Sequence, residues 1–244
     1  MGLLAGKTAV VTGGSAGIGL AISERFVAEG ASVFVTGRRQ SELDSAVAGI
    51  GSAAVGIRGD ATVPADLDRL YQRVRENGSG IDVLVANVGY GEPAALADVT
   101  DEHLDRIFGV NVVATLKTVQ KALPLLNDDA SVILLSSVRA SDGKEGLSVY
   151  SASKAAVRSF ARTWANELKH RNIRVNALAP GSTRTVAFSS FDGEDLAAKR
   201  AAEIPLGRLS TPREQASAAL FLASGESSFI TGTELAVGGG VHQF

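Results

Sequence analysis

The chain has 244 residues, 45% hydrophobic and 20% charged, with a formal net charge of −2. That balance suits a globular protein with a sizeable core and lacks the basic excess of a nucleic-acid-binding surface. Absence of cysteine excludes a disulfide framework, a thiolate nucleophile and a cysteine metal site, and His103, His170 and His242 are too scattered for a zinc motif, so no metal is expected.

The first residues, MGLLAGKTAVVTGG, carry no basic stretch followed by a long apolar run, so they read as a strand and not as a signal peptide. TAVVTG (8–13) is the first strand, and a helical pattern follows at 18–29. SVFVTG (32–37) precedes the helical SELDSAVAGI, and AAVGIRG (53–59) precedes VPADLDRLYQRVRENG. IDVLVAN (81–87) leads to a long helical region near 101–123. ASVILLSS (130–137) leads to a helix at 148–168, SVYSASKAAVRSFARTWANEL. IRVNALAP (173–180) and a short ELAV (234–237) are the last strands.

These strands are apolar almost throughout, which suggests burial on both faces, as in a parallel sheet flanked by helices. The connections are long enough for right-handed crossovers. No linker divides the chain, so the expectation is one α/β doubly wound domain over residues 1–244. The stretch 182–210 breaks the rhythm with a polar segment and a short helix near 193–203; it reads as a substrate lid, with a plain surface excursion as the alternative. No apolar run approaches the roughly 18 residues of a membrane span, and a cytoplasmic protein without a membrane partner is expected.

TGGSAGIG joins the first strand to the first helix, with Gly13, Gly17 and Gly19 spaced GxxxGxG. Small residues permit a tight turn and close approach of backbone to a diphosphate, and the helix aims its free amides at the negative charge. A merely structural turn is the alternative, but its place after the first strand points to a nucleotide. The second strand ends in Gly37, which offers no carboxylate for ribose hydroxyls, and Arg38 and Arg39 follow. Guanidinium groups pair with a 2'-phosphate, so NADP(H) is favoured over NAD(H), and Arg38 more than Arg39. Asp60, with Ala61 beside it, follows the third strand; it can take a hydrogen bond from an adenine amine or cap the helix beginning near 64. Asn87 and Gly89 end the fourth strand, where backbone can border a ribose.

Tyr150 and Lys154 lie four residues apart, on one helix face. A free phenol has a pKa of about 10 and needs a stabilised anion to trade protons near neutrality; an adjacent ammonium supplies that by Coulomb attraction. Tyr150 would give a proton to a carbonyl oxygen as hydride arrives, or take one from an alcohol. Ser137 ends the fifth strand with a hydroxyl suited to polarising the carbonyl. A Ser-Lys hydrolase is a rival use of these groups, but it lacks a G-x-S-x-G elbow and would leave the glycine turn idle.

TGGSAGIG (12–19), ANVG (86–89), Asn111, SS (136–137), YSASK (150–154) and PGSTRT (180–185) together resemble the classical short-chain dehydrogenase/reductase family over essentially the whole chain. The resemblance implies a Rossmann-type fold, Ser137 and Tyr150 in catalysis, and Lys154 supporting both cofactor and proton transfer. It implies that Asn111 helps to hold a relay water. It also implies cofactor contacts from Ser15, Ile18, Asn87, Val110 and the segment Pro180, Gly181, Ser182, Thr183 and Thr185, and a homotetramer or homodimer. Two departures stand out. Val88 replaces the family's usual alanine and adds bulk beside the cofactor, and Gly109 softens a helix by about 1 kcal/mol relative to alanine.

The substrate wall is expected from VRASDGKEGLSV (138–149) and TRTVAFSSF (183–191). Arg139 in the first could meet an acidic substrate or simply join a solvent-facing salt-bridged loop; Val186, Phe188 and Phe191 in the second are apolar. The expected substrate is a ketone/alcohol pair. Small and apolar groups such as Ala155, Ala156, Phe160 and Trp164 suit a subunit contact, and the terminal GGGVHQF could complete an interface or pocket. The competing reading is a nicotinamide-cofactor-binding regulatory protein with weak chemistry.

Overall fold

The computed structural model describes residues 2–185 and 194–241. Seven parallel strands form one sheet: β1 (Thr8–Thr12), β2 (Ser32–Gly37), β3 (Ala54–Arg58), β4 (Ile81–Ala86), β5 (Leu126–Leu135), β6 (Arg174–Pro180) and β7 (Glu234–Val237), in the order β3-β2-β1-β4-β5-β6-β7. The order reverses between β1 and β4, so the crevice beyond their carboxyl ends is where a doubly wound sheet binds ligands. The expected Rossmann-type doubly wound sheet with helices on both faces is what the chain adopts.

Every residue of β1 is buried, which explains why its sequence shows no alternation: both faces are covered. One face carries α1 (Gly17–Ala28), α2 (Gln40–Ile50) and α8 (Pro212–Ala223), with Val11, Ile22, Phe26, Leu43 and Leu220 in its core. The other carries α3 (Pro64–Asn77), α4 (Asp101–Phe108), α5 (Ala114–Ala122) and α6 (Ser148–Glu167), with Leu70, Leu84, Val132 and Val157 in its core.

Helix α8 is absent from the sequence reading. Thr211 accepts the Glu214 N–H through its hydroxyl and the Glu214 carboxylate returns a bond to the Thr211 N–H, with Pro212 in the first turn, a capping box that starts a helix. The helical region 101–123 is also not continuous. Gly109–Val113 forms a π-helical turn between α4 and α5, a bulge of the kind that re-aims a side chain. The short helix expected near 193–203 is α7 (Glu194–Ala202). Strand β5 begins at Leu126, earlier than expected, and its register against β4 shifts between Leu126 and Ser131.

Candidate functional site

The turn after β1 is closed by its neighbours. The Gly13 N–H donates to the Thr36 hydroxyl at 3.1 Å, and Gly14 N–H to the Thr36 carbonyl at 3.0 Å. The Asn87 amide donates to the carbonyls of Thr12 and Gly13 at 3.1 and 3.0 Å. A side chain at residue 19 would stand 2.4 Å from the Gly13 oxygen and 2.5 Å from the Asn87 amide nitrogen, so only glycine lets α1 start this close to β4. Helix α1 has no side-chain cap and no acidic residue in its first turn. Its first amides are therefore left to an anion, which the helix dipole favours. Thr185 stands over this turn, its methyl 3.4 Å from where a Gly17 Cβ would be. Ile18 is half-buried against the core on that side. The cradle fits a dinucleotide diphosphate.

At the end of β2, a Cβ on Gly37 would meet the Ser15 hydroxyl at 2.4 Å, so no carboxylate could stand there without moving the glycine turn. Arg38 is 74% exposed and its guanidinium lies 3.8 Å from the Asp60 carboxylate. Arg39, in contrast, pairs with Glu42 at 2.5 Å. The Asp60 carboxylate accepts the Thr62 N–H and hydroxyl at 2.9 and 2.8 Å. Asp60 therefore does not cap α3, whose N-cap is Val63 without a side-chain bond. Ala61 is buried beneath it.

Helix α6 explains why a phenol and an ammonium open a core helix. Its buried stripe runs Lys154, Val157, Ala161, Ala165, and Tyr150 lies one turn before Lys154 on the same side. Lys154 is 3% exposed and its ammonium donates to the Leu135 carbonyl at 2.8 Å, at the end of β5. Burial lowers its pKa to about 8. The ammonium stands 5.9 Å from the centre of the Tyr150 ring, over its face. The Tyr150 phenol does not follow the simple expectation. Its pKa is raised, because burial outweighs the Ser137 hydrogen bond and the Arg139 charge, both of which favour the anion. The cation that favours the Tyr150 anion is thus Arg139, while Lys154 faces the ring and a carbonyl.

Asn111 sits inside the π turn, fully buried. Its side-chain oxygen accepts the Tyr90 N–H at 2.7 Å, and its amide donates to the Tyr90 carbonyl at 2.9 Å and the Ser153 hydroxyl at 2.8 Å. Ser153 in turn donates to the Tyr150 carbonyl at 2.7 Å. Asn111 therefore ties the loop after β4 to the first turn of α6. A Cβ on Gly89 would fall 2.9 Å from the Lys154 nitrogen and 3.5 Å from the Asn111 side-chain oxygen. Gly109 meets nothing within 4 Å of its absent Cβ, so no packing demand requires glycine there. Val110 is half-buried in the same turn. Val88 is half-buried with its side chain against the core, so much of its added bulk is absorbed by the sheet's packing.

Ser137 is buried and its oxygen accepts the Arg139 N–H at 3.2 Å. The Arg139 guanidinium bonds Asp142 and is only 16% exposed; it is salt-bridged, but it is not the solvent-facing loop residue that composition suggests. Lys144 reaches across to Glu203, past the end of α7, at 3.0 Å. Gly181, after Pro180, lies against Gly238, whose Cα would be 2.7 Å from an added Cβ. The hydroxyl of Thr183 turns inward to the Gly181 carbonyl (3.0 Å), the Ser210 hydroxyl (2.8 Å) and the Gln215 amide (3.4 Å). The Thr183 hydroxyl is thus engaged inside the protein, which leaves its backbone for the expected nucleotide contact, and Thr185 is the threonine facing the glycine turn. Val186, Phe188, Phe191, His242 and Phe244 lie outside the described residues, as does the part of the expected lid at 186–193. Gly239 and Gly240 close against Ile204 and Pro205.

Thr36, Ser153 and Gly91 are site residues that the sequence reading passes over. A Cβ at Gly91 would lie 3.2 Å from the Tyr150 ring. Ser153 was in plain view inside YSASK; Thr36 and Gly91 enter only through tertiary neighbours. No group of histidines or carboxylates suited to a metal is found among the described residues, and no helix among them is long and apolar enough to cross a membrane.

Comparison with known proteins follows the same lines. Residues 13–242 match the family model described as enoyl-(acyl carrier protein) reductase. The chain is 44% identical over 242 residues to the oxidoreductase asL5 of Sarocladium schorii, covering 98% of this chain and 97% of that protein. It is 34% identical over 244 residues to an NADP-dependent (R)-specific alcohol dehydrogenase of Lentilactobacillus kefiri, covering 97% of each. A solved short chain dehydrogenase/reductase family protein superposes with a TM-score of 0.90 at 36% identity, covering 99% of this chain and 100% of that one. The chain accordingly belongs to the classical short-chain dehydrogenase/reductase family and is an oxidoreductase of the kind that binds a nicotinamide cofactor.

Proposed function

We propose that the protein interconverts a ketone and a secondary alcohol with NADP(H), Tyr150 acting as general acid and base. One observation carries this reading: Ser137, Tyr150 and Lys154 converge beyond the carboxyl end of β5, on the ligand-binding side of the sheet that also bears the glycine turn. The cofactor, when bound, supplies or accepts the hydride. Gly13, Ser15, Gly17, Ile18, Gly19, Asn87, Gly89, Val110 and Thr185 are the residues that would line it, with Arg38 at its 2'-phosphate.

The Ser137 oxygen accepts the Arg139 N–H; its own proton, which faces the Tyr150 phenol, would turn to the oxygen of a bound carbonyl. That bond fixes the carbonyl and stabilises negative charge as it develops. Tyr150 then passes its phenolic proton to the same oxygen; its raised pKa keeps that proton in place near neutral pH. In the oxidative direction Tyr150 accepts the alcohol proton. The Lys154 ammonium faces the phenol ring and would also hold the ribose hydroxyls of the cofactor. Asn111 fixes the Tyr90 backbone and, through Ser153, the first turn of α6, and in the family's manner it would support a relay water.

The preference for NADP(H) is supported by Gly37, where no carboxylate fits, and by the exposed Arg38 beside it. A relative of 34% identity is named as NADP-dependent. Subunit assembly, most simply a homotetramer or homodimer, is supported by apolar side chains left exposed on α4 and the π turn, Leu104 and Val113; Phe160 and Trp164 stack on one another at 4.5 Å and are partly buried already. Sedimentation of the purified protein tests it: a monomer would sink this part.

The test of the reaction is a panel of ketones and alcohols incubated in parallel with NADPH and NADH, read by nicotinamide absorbance. Turnover with NADPH and a ketone is expected, and Arg38→Asp should swing the preference towards NADH. A broad panel without turnover, with NADPH demonstrably bound, would favour a binding protein instead; an unchanged preference in Arg38→Asp would remove the phosphate assignment.

A further inference from the structure

The carboxyl ends of β2 and β3 and the opening turns of α2 and α3 carry four arginines, Arg38, Arg39, Arg58 and Arg69, and three carboxylates, Glu42, Asp60 and Asp66. The pairing among them is uneven. Arg39 is held by Glu42 at 2.5 Å, and Arg69 by Asp66 at 2.8 Å. Arg38 is loosely set against Asp60 at 3.8 Å. Arg58 has no carboxylate within ion-pair distance among the described residues. Asp60 is further occupied by Thr62, and Asp66 by the Asp60 N–H at 2.8 Å.

Arg58 is not free to wander. Parallel pairing puts it level with Gly37, the last residue of β2. Its Nε donates to the Arg38 carbonyl at 3.2 Å, so the side chain crosses the end of β2. Its two terminal nitrogens make no hydrogen bond among the described residues, though its charge acts on the Asp66 carboxylate. Gly37 raises no side chain between Arg58 and Arg38. A guanidinium anchored through Nε and open at both terminal nitrogens is prepared for a planar, two-point contact with phosphate oxygens.

We propose that Arg58 is a specificity-determining residue of this protein, supplying with Arg38 the second guanidinium for the 2'-phosphate of NADP(H), in place of Arg39. This rests on the NADP(H) reading above. A phosphate dianion would meet one guanidinium with no carboxylate in ion-pair distance among the described residues, and one that stands against a carboxylate at only 3.8 Å. Arg39 would have to give up Glu42 to do the same.

The test is equilibrium binding to the cofactor-free protein, by calorimetry, of NADPH, NADH, 2'-AMP and 5'-AMP. Wild type, Arg58→Gln, Arg58→Lys and Arg39→Gln are compared at two salt concentrations. Arg58→Gln should weaken NADPH and 2'-AMP by roughly 10-fold or more, as expected for a charged hydrogen-bonded contact. NADH and 5'-AMP should change by less than about 3-fold, the latter also reporting that the variant is folded. Arg58→Lys should fall between, because it keeps the charge and loses the fork. The salt dependence of NADPH binding should be shallower in Arg58→Gln. Equal weakening of NADPH and NADH, no weakening of either, or a selective loss in Arg39→Gln would overturn the assignment of Arg58 while leaving NADP(H) use intact. A wild-type protein that binds NADH as tightly as NADPH would overturn the cofactor reading and this inference together.

Discussion

Replacing Lys154 with Met tests how the buried ammonium is paid for in stability. Lys154 is 3% exposed, has no carboxylate partner among the described residues, and its pKa falls from 10.5 to about 8 through burial. The unfolded chain keeps this proton up to 10.5, and the folded chain releases it near 8. Between those values the unfolded state binds more protons, so the stability of the wild type rises with pH; below 8 the burial penalty is present in full. Linkage puts the gain at roughly 2 kcal/mol between about pH 7 and pH 9.5. Met fills similar space without a charge and should lack that rise. It also leaves the Leu135 carbonyl without the donor now at 2.8 Å, a loss of about 1–3 kcal/mol, so the two proteins should be close in stability at pH 7. Denaturant unfolding of the cofactor-free proteins at several pH values measures this. The wild type should gain on the variant by roughly 2 kcal/mol over that pH range. A gap that stays constant with pH would show that Lys154 does not carry the depressed pKa, and the burial reasoning would fall.

Gly19→Ala should abolish nucleotide binding while leaving a folded protein, because its Cβ would meet the Gly13 oxygen at 2.4 Å; NADPH titration with circular dichroism checks it, and near-normal binding would show that the turn yields easily. Thr211→Ala removes the cap of α8 and should cost about 1 kcal/mol, with Tm lower by roughly 2–4 °C; an unchanged Tm would mean that the capping box contributes nothing.

The parallel sheet was legible because both faces of its central strands are buried, which turned them into apolar runs that stand out between polar helices. The glycine turn and the Tyr150–Lys154 pair were legible because their spacing is local. Helix α8 could have been found from Thr211, Pro212 and Glu214, which spell its start. The π turn had only Gly109 as a hint, and its consequence, the burial of Asn111 between Tyr90 and Ser153, needs the loop after β4 folded back. Ionisation was the least readable property. Whether the Tyr150 phenol is raised or lowered depends on how deeply α6 is covered, and on Arg139, which the short loop after Ser137 turns into the cleft. Arg39–Glu42 is a pair within one helical turn and could be anticipated; Arg58 reaches Arg38 only through the register of β2 against β3. Thr183 turns inward because Gln215 waits for it on the helix that the sequence reading lacked.

The central claim is that the Tyr150 proton is the one transferred to the carbonyl. The most direct measurement compares wild type with Tyr150→Phe, each saturated with NADPH and given the best ketone from the panel, with NADPH affinity measured alongside. Turnover should fall by roughly 10²-fold or more, the usual worth of a positioned proton donor, while NADPH affinity stays within about 3-fold, since the phenol's hydroxyl is the only group removed. Turnover within a few-fold of wild type at unchanged affinity would contradict the account.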